Sequence, residues 1–365
     1  MSKKEQLYQL IRSNPFISQQ EMADALGLSR SAVAGHVASL IRERRLMGRA
    51  YVLTEERTVL CIGAANLDRK LRTLQPLRMG TSNPAGAEET YGGVARNIAE
   101  NLARLGSTCA LLTAVGDDAA GHALLGHAQA SGIDTTGTLT LAGAATGTYT
   151  AVLDAGGEMV VALADMAICE QLTPEYLAGR QQRRHGAALV VADLNLPHDS
   201  VALLLADAAR EATPLVLVAV SQPKMARLPR SLAGLRLLIL NHGELETRAG
   251  RALPNQAAIR DACRALQAEG AQDVIVTAGA AGVHHTAGDE LHWLPAHEVS
   301  VVDVTGAGDA FSAAVCWSLA QGDTDLAHAC ARGLQAAALT LQSPHTVSPE
   351  LTAGLFGQAS STEQE

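Results

Sequence analysis

The stretch "VDVTGAGDAFSAA", Val302 to Ala314, places three small residues directly before an acid and then continues with apolar residues at helical spacing. Glycine loses more backbone entropy on folding than other residues, so two glycines here indicate a place where the chain needs room. The pattern predicts a strand over residues 297–305, a turn through Gly306, Ala307 and Gly308, and a helix that begins near Asp309.

This turn has the features of an anion site. The N–H groups at the start of a helix carry partial positive charge, and small residues let an anion approach them closely. Asp309 would lie beside that anion, where a carboxylate can take a proton from an attacking hydroxyl. These are the parts that phosphoryl transfer needs. The same spacing also occurs in plain turns with an Asp cap, and the Walker A pattern is absent from the sequence.

Length and composition predict a globular chain of two domains, since it has 365 residues, of which 47% are hydrophobic. No apolar run approaches the roughly 18 residues of a membrane helix, and the first residues lack the apolar core of a signal peptide. We therefore expect a cytoplasmic protein with no membrane partner. The six cysteines are scattered without a Cys-x-x-Cys pair, which predicts reduced thiols rather than a metal site.

Charge is distributed unevenly along the chain. Residues 1–50 hold eight Lys or Arg and four Asp or Glu, a net of +4, whereas the whole chain carries −9, which leaves −13 for the rest. A basic segment attached to an acidic body indicates that the two parts meet different partners.

The N-terminal segment, residues 1–55, has the pattern of a winged helix-turn-helix domain. Ser18 and Glu21 predict a capping box at the start of its second helix, and Gly27 suits the tight turn that follows. The stretch "LMGRAYVL", residues 46–53, is typical of a short β-wing.

The third helix of this segment is expected to begin after Ser29 and to direct its apolar face inward (Val33, Val37, Leu40 and Ile41). Its polar N-terminal face leaves Arg30, Ser31 and His36 outside, and such a helix enters the major groove in helix-turn-helix proteins. We therefore expect DNA to be a partner. A small helical bundle that serves dimerisation, or that only caps the larger domain, has the same pattern.

Residues 58–355 alternate buried-strand patterns with helical patterns of 10–15 residues. The strand patterns include "TVLCIGAAN", "CALLTAVG", "ALVVADLN", "LRLLILN" and "DVIVTAGA". This alternation predicts an α/β domain of three layers, α/β/α, with a mostly parallel sheet whose ligands bind at the carboxyl ends of the strands.

Two segments, about 68–93 and 145–163, interrupt this alternation of strands and helices. They have the pattern of strand pieces with a hairpin around Gly156 and Gly157. Together they predict a small β-lid over the ligand crevice. Residues 356–365 are expected to form a disordered tail.

Four motifs resemble the ribokinase-like family of carbohydrate and nucleoside kinases. "DVTGAGDAF" is similar to that family's C-terminal motif, and "YGGVARNIAENLARLG", residues 91–106, to its N-terminal Gly-Gly motif. "NHGE", residues 241–244, resembles its Asn-x-x-Glu element, and "VTAGAAG", residues 276–282, its nucleotide-binding strand and turn. The four stand in the family's order, so the resemblance implies a ribokinase-like fold and an ATP-dependent kinase.

The resemblance also implies roles for individual residues. Asp309 would be the base and Gly306, Ala307 and Gly308 the anion hole, with Mg²⁺ and K⁺ beside ATP. The residues implied to bind the acceptor are Asn66, Asp68, Gly92, Gly93, Asn97, Glu158, Asp165 and Asn195. The residues implied to bind ATP and cations are Asn241, Thr277, Gly279, Gly282 and Lys224, with Glu244 holding Mg²⁺ through water and Asp303 and Thr305 the monovalent cation. For Asp165 and Asn195 a purely structural role fits the sequence equally well.

Several stretches are similar to the pseudouridine kinases within this family, namely "TSNPAG" (81–86), "GGEMVVALADM" (156–166) and "VADLN" (191–195). That similarity implies transfer to the 5′-hydroxyl of a nucleoside, pseudouridine, whose uracil ring would find its partners among Asn83, Thr148, Asn195 and Lys224. One departure is Val218-Ala219, where those kinases carry an Asp-Pro step. The change removes a carboxylate near the phosphate path.

Two other functions fit the same sequence. The acceptor would then be another nucleoside or a pentose, or the kinase fold would serve a transcription regulator that only senses a ligand. An intact Asp309 behind an intact Gly306–Gly308 turn favours catalysis over sensing. A homodimer is expected, because lid strands are commonly exchanged in the resembled family and because a palindromic DNA site favours two copies.

Overall fold

The chain forms two compact units, Met1–Arg57 and Thr58–Glu365. The structure, a computed structural model, describes residues 2–13, 17–43, 45–46 and 58–357. Within those ranges no helix is both long and apolar enough to cross a membrane.

The smaller unit contains α1 (Lys3–Ser13), α2 (Gln19–Leu26) and α3 (Arg30–Arg42). The Ser18 hydroxyl accepts a hydrogen bond from the Glu21 N–H, and the Glu21 carboxylate accepts one from the Ser18 N–H, so the capping box forms as predicted. Gly27 has a left-handed φ of 62° and ends α2. The Ser29 hydroxyl accepts from the Ala32 N–H and starts α3.

The core of this unit joins all three helices through Leu7, Ile11, Met22, Ala23, Val33, Val37, Leu40 and Leu46. The expectation that Ile41 points inward is wrong, since its side chain is 39% exposed. Val33, Val37 and Leu40 already fill the stripe that faces α1 and α2, and Ile41 lies beyond its edge. Of the predicted wing, Leu46 belongs to this core, while residues 47–53 lie outside the described residues.

Within residues 58–357 the strands are β1 (Val59–Ile62), β2 (Asn66–Thr73), β3 (Ala85–Gly92), β4 (Cys109–Leu112), β5 (Ala114–Gly116), β6 (Ile133–Asp134), β7 (Leu139–Leu141), β8 (Thr148–Leu153), β9 (Met159–Asp165), β10 (Leu189–Asp193), β11 (Leu215–Val218), β12 (Leu237–Asn241), β13 (Asp273–Thr277), β14 (Val283–Ala287) and β15 (Glu290–Leu294). The α-helices are α4 (Val94–Arg104), α5 (Ala119–Ala130), α6 (Pro174–Ala178), α7 (Gln181–Gly186), α8 (His198–Glu211), α9 (His242–Ala249), α10 (Gln256–Ala268), α11 (Ala307–Ala320) and α12 (Leu326–Leu341).

The central sheet has nine strands in the order β15-β14-β13-β12-β11-β10-β1-β4-β6. Neighbours from β6 to β13 are parallel, and β14 and β15 extend one edge in antiparallel fashion. Alternate residues of β1 belong to two different apolar clusters, one with α4, α11 and α12 and the other with α6, α8, α9 and α10. The sheet is therefore covered on both faces, which confirms the three-layer fold.

A separate four-stranded sheet has the order β3-β2-β8-β9 and corresponds to the predicted lid segments. β2 and β8 are parallel, and the outer pairs are antiparallel. Because β2 begins only a few residues after β1 ends, the lid extends from the carboxyl end of a central strand. β5 and β7 form a small parallel pair.

The structure differs from two sequence-based expectations near the C-terminus. Residues 297–305 form no strand, and Val301, Val302 and Val304 are 57%, 63% and 71% exposed. This segment runs from the sheet edge to α11, where the Val302 N–H donates to the Leu341 carbonyl at 2.8 Å, so its valines gain no sheet partner. The predicted disordered tail is ordered at its start, because the Phe356 ring packs against Trp317 at 5.2 Å. Residues 358–365 lie outside the described residues.

Candidate active site

The two glycines at the start of α11 serve different purposes. Gly306 has a φ of 83°, and a Cβ there would lie 2.0 Å from the Thr346 carbonyl oxygen, so the fold itself requires a glycine. A Cβ on Gly308 would meet no atom within 4 Å. Gly308 therefore leaves open space beside the first-turn N–H groups, which have no carbonyl partner within the helix.

Asp309 lies in this first turn and is held by one side chain. The Asn97 amide Nδ2 donates a hydrogen bond to Asp309 Oδ2 at 2.7 Å. Burial raises the pKa of Asp309 to about 7, with the Asn97 hydrogen bond opposing the shift and the charges of Asp193 and Asp68 reinforcing it. A carboxyl with such a pKa is a stronger base than an ordinary aspartate and is still largely ionised just above neutral pH.

The orientation of Asn97 is fixed by Arg96, a residue that sequence reasoning missed. Arg96 Nη1 donates to Asn97 Oδ1 at 2.9 Å and to the Tyr91 carbonyl at 2.9 Å, and Nη2 pairs with Glu100. An arginine only donates, so the Asn97 oxygen faces Arg96 and the NH₂ faces Asp309. The sequence shows only an arginine and a glutamate four residues apart, and the structure shows that both are buried on α4. Buried charged residues are nearly always paired.

The Gly-Gly pair and Asp68 form a second part of the crevice. Asn66 Nδ2 donates to Asp68 Oδ1 at 2.6 Å, and burial raises the pKa of Asp68. A Cβ on Gly92 would lie 2.1 Å from Asp68 Oδ2, and Gly93, with a φ of 100°, would place one 2.4 Å from the Ala64 carbonyl. Gly92 therefore leaves room for the Asp68 carboxylate within the lid, and Gly93 lets the start of α4 approach the chain that follows β1.

Asn195 and the neighbouring Asp193 are occupied by the fold. Asp193 accepts hydrogen bonds from the N–H groups of Ala64 at 3.0 Å, Ala95 at 2.9 Å and Asn195 at 2.8 Å. It thereby joins the loop after β1 to the start of α4. Asn195 is 4% exposed, and its carbonyl accepts from Arg227 Nη1 at 2.8 Å. Its surroundings favour the structural alternative over the predicted acceptor contact.

Two predicted acceptor residues lie away from Asp68 in this chain. Glu158 follows the turn between β8 and β9, and its N–H donates to Asp154 Oδ1 at 3.0 Å. Tyr149 is the register partner of Asp68, so about 16 Å of strand separates that pair from the turn. Asp165 is the register partner of Thr148, which precedes Tyr149 on β8. Successive residues of a strand point to opposite faces, so Asp165 lies on the lid face opposite to Asp68. It lines a separate surface cavity beside Gly143. The half-buried loop residue Asn83 bonds its side-chain amide to the Arg78 backbone.

The predicted nucleotide residues lie at neighbouring strand ends, because Asn241 of β12 and Thr277 of β13 are register partners. Asn241 and Glu244 form a capping box on α9, through contacts of 2.9 Å and 2.7 Å, and burial raises the pKa of Glu244. Gly279 and Gly282 have φ values of 56° and 97° in the turn after β13. Lys224, on the short helix after β11, is half-buried, and burial together with Arg227 lowers its pKa.

Trp293 borders the same turn and was also missed. Its indole N–H donates to the Ala281 carbonyl at 2.8 Å, and half of its surface is exposed. A single tryptophan in an antiparallel edge strand carries no sequence pattern that would single it out.

The described residues fit Mg²⁺, whereas Asp303, predicted to bind the monovalent cation, already has other partners. They hold no group of three or more acidic, His or Cys side chains, and Mg²⁺ characteristically needs only one or two carboxylates together with phosphates, as Glu244 would provide. Asp303 is already occupied: Oδ1 accepts from the Thr305 N–H at 2.9 Å and hydroxyl at 2.7 Å, and Oδ2 pairs with the Lys70 ammonium.

In the smaller unit, the predicted DNA contacts lie at the start of α3. Arg30 and Ser31 are exposed, and His36 is half-buried. Ser31 shares a hydrogen bond of 3.0 Å with Ser29, the cap of the helix.

Comparison with known proteins finds a family match in each of the two units. Residues 56–353 match the pfkB family of carbohydrate kinases, and residues 2–44 match the winged helix-turn-helix DNA-binding family. The chain is 33% identical to the uncharacterized sugar kinase YeiI of Escherichia coli over 88% of each chain, and 34% identical to the pseudouridine kinase of that organism over 76% of this chain and 92% of the relative. The solved carbohydrate kinase of Agrobacterium tumefaciens superposes with a TM-score of 0.72 at 31% identity, over 82% of this chain and 96% of the other.

Proposed function

The chain belongs to the pfkB family of carbohydrate kinases, and we propose that it transfers the terminal phosphoryl group of ATP to the 5′-hydroxyl of a nucleoside, pseudouridine. Family membership makes it an ATP-dependent kinase. The choice of acceptor is our proposal and is supported by the relative that is named a pseudouridine kinase and by the lid sequence.

The observation that carries the proposal is the pair Asn97–Asp309 beside the open turn at Gly308. A base and an anion site lie next to each other, as phosphoryl transfer to an alcohol requires. With a pKa of about 7, Asp309 is ionised in a large part of the molecules at neutral pH and still holds a transferred proton well.

The reaction proceeds by in-line displacement. Asp309 takes the proton of the acceptor hydroxyl while its oxygen forms the new bond to phosphorus and the bond to the leaving phosphate oxygen breaks. The amides of Gly306, Ala307, Gly308 and the first turn of α11 stabilise the charge on the transferring group. When bound, Mg²⁺ neutralises the phosphates, and Glu244 would hold it through water.

The acceptor is oriented by the carboxylate of Asp68, supported by Asn66, with Gly92, Gly93 and Asn97 closing the same part of the crevice. At the nucleotide end, Asn241, Thr277, Gly279, Gly282 and Lys224 hold the phosphates and ribose. Trp293 offers an exposed ring next to that turn. Val218-Ala219 stands where the pseudouridine kinases carry an Asp-Pro step, and Lys224 is the nearby charge that remains for the phosphates.

The test is a panel of acceptors with MgATP: pseudouridine, uridine, adenosine and ribose, followed by detection of the phosphorylated product. We expect pseudouridine to be turned over at least tenfold faster, in kcat/KM, than the others. Efficient phosphorylation of ribose or adenosine without pseudouridine would move the acceptor to another member of the class, and absence of any product would contradict the kinase proposal itself.

We also propose that the smaller unit binds DNA through α3, with Arg30, Ser31 and His36 towards the major groove, and that the protein works as a cytoplasmic homodimer. The match of residues 2–44 supports DNA binding. Six buried, free cysteines are typical of a reducing compartment. The dimer is supported by Met159, Val161 and Leu163, which are exposed along lid strand β9.

A further inference from the structure

We propose that the ammonium group of Lys70 supplies the positive charge that a monovalent cation would otherwise supply beside the phosphoryl-transfer turn. Lys70 then acts as a built-in cation, and the enzyme needs no added K⁺. The proposal rests on the kinase activity proposed above, but not on which acceptor is used.

The position of Lys70 follows from the lid sheet. It stands two residues after Asp68 on β2, so both side chains lie on the same face of the strand. From there the Lys70 ammonium reaches Asp303, three residues before Gly306, and pairs with its Oδ2. The lid thus brings a fixed positive charge to the segment that leads into α11.

The environment of the pair favours a defined interaction over a loose surface contact. The Lys70 and Asp303 side chains are only 31% and 23% exposed, so solvent screens them incompletely. Burial raises the pKa of Asp303, but the hydrogen bonds from Lys70 and Thr305 outweigh burial and leave that pKa below its usual value. Asp303 is therefore an ionised group whose charge is already balanced.

Both carboxylate oxygens of Asp303 are used. Oδ1 accepts from the Thr305 N–H and hydroxyl, and Oδ2 accepts from Lys70. A monovalent cation at Oδ2 would compete with the ammonium, which carries the same charge and is covalently attached. The effective concentration of the tethered group therefore favours Lys70.

The decisive variant is Lys70→Met, which keeps the apolar stem and removes the charge. Its matched control is Arg69→Met, on the next residue of β2, where Arg69 pairs with Glu89 on the opposite, exposed face. Each protein is measured in KCl and in choline chloride at equal ionic strength. One readout is kcat with MgATP and the best acceptor, and the other is the Tm without substrates.

We expect the unsubstituted protein and Arg69→Met to have kcat values within twofold in the two salts. Lys70→Met should lose at least tenfold in choline and recover most of the loss in KCl. Its Tm should rise by about 2–4 °C in KCl relative to choline, because only a vacated Asp303 binds the ion. Strong activation of the unsubstituted protein by K⁺ would overturn the proposal, as would a Lys70→Met protein that is fully active in choline.

The result would differ if Lys70 only tethered the lid to Asp303 and did not replace a cation. Lys70→Met would then be slow in both salts with an unchanged Tm difference, which also overturns the proposal. Asp303→Asn is the second variant if Lys70→Met does not fold, and it should show the same Tm in KCl and choline. Because the Tm measurement needs no acceptor, it remains decisive even if the nucleoside panel yields no product.

Discussion

Asp193 at the end of β10 and Asp309 in the first turn of α11 differ in what surrounds their carboxylates. Asp193 accepts three backbone N–H groups and has both oxygens engaged. Asp309 accepts one amide from Asn97 and lies beside the open position of Gly308. An acid at a strand end or helix start is therefore available for chemistry only where the fold leaves its carboxylate partly unused.

The largest expected effect is on catalysis by Asp309→Asn. The amide is nearly isosteric and can still accept from Asn97, but it takes no proton, so kcat should fall by roughly 10³-fold with little change in acceptor KM. Steady-state kinetics with the best acceptor of the panel measures this. Turnover within tenfold of the unsubstituted protein would remove Asp309 from the role of base.

Asp193→Asn should act on the fold instead. An NH₂ group would face a backbone N–H that the carboxylate now accepts, and we expect the free energy of unfolding to fall by about 2–4 kcal/mol. Chemical denaturation measures the loss, with Asp199→Asn, an exposed acid at the start of α8, as the control. If Asp193→Asn is as stable as the control but nearly inactive, then the contrast between the two acids is wrong.

The sequence predicted the part of the site that depends on local chain geometry. The turn at Gly306 and the start of α11 follow from residues within one segment, and so do the capping box at Ser18 and the alternation that forms the sheet. These features are decided by neighbours along the chain, which a sequence pattern contains.

The sequence did not predict what depends on contacts between distant segments. Lys70 and Asp303 are 233 residues apart, so no sequence pattern indicated that an ammonium group would pair with the carboxylate predicted to bind a cation. Glu158 was assigned by motif, but the lengths of β8 and β9 put it at the far end of the lid. Apolar residues near Val302 predicted a strand, although the adjoining sheet edge offers them no partner.

The pH profile of kcat/KM reports the ionisation of Asp309 directly. Because the base must be ionised, kcat/KM should rise with pH, about tenfold per unit below pH 7, and level off above it. Asn97→Leu removes the hydrogen bond that lowers the pKa of Asp309, so the midpoint should move to higher pH and the plateau should fall about tenfold. A midpoint near pH 4, or one that Asn97→Leu leaves unchanged, would contradict this account of the carboxyl.

The smallest expected effect is on stability. Asp309→Asn should stabilise the fold at high pH, whereas Asp193→Asn should destabilise it. The pKa of Asp309 is about 7 when folded and near 3.8 in an open chain, so between these values the folded state holds a proton that the unfolded state has lost. By linkage, stability falls as the pH rises from about 4 to 7, and above pH 7 the cost is complete.

Asp309→Asn has no such cost. Its Tm should therefore equal that of the unsubstituted protein near pH 4 and exceed it by about 2 °C at pH 8, since solvent access reduces the cost to roughly 1 kcal/mol. Thermal melts at the two pH values measure the difference. A Tm at pH 8 that is lower for Asp309→Asn would mean that the Asp309 carboxylate stabilises the fold, which would contradict this prediction.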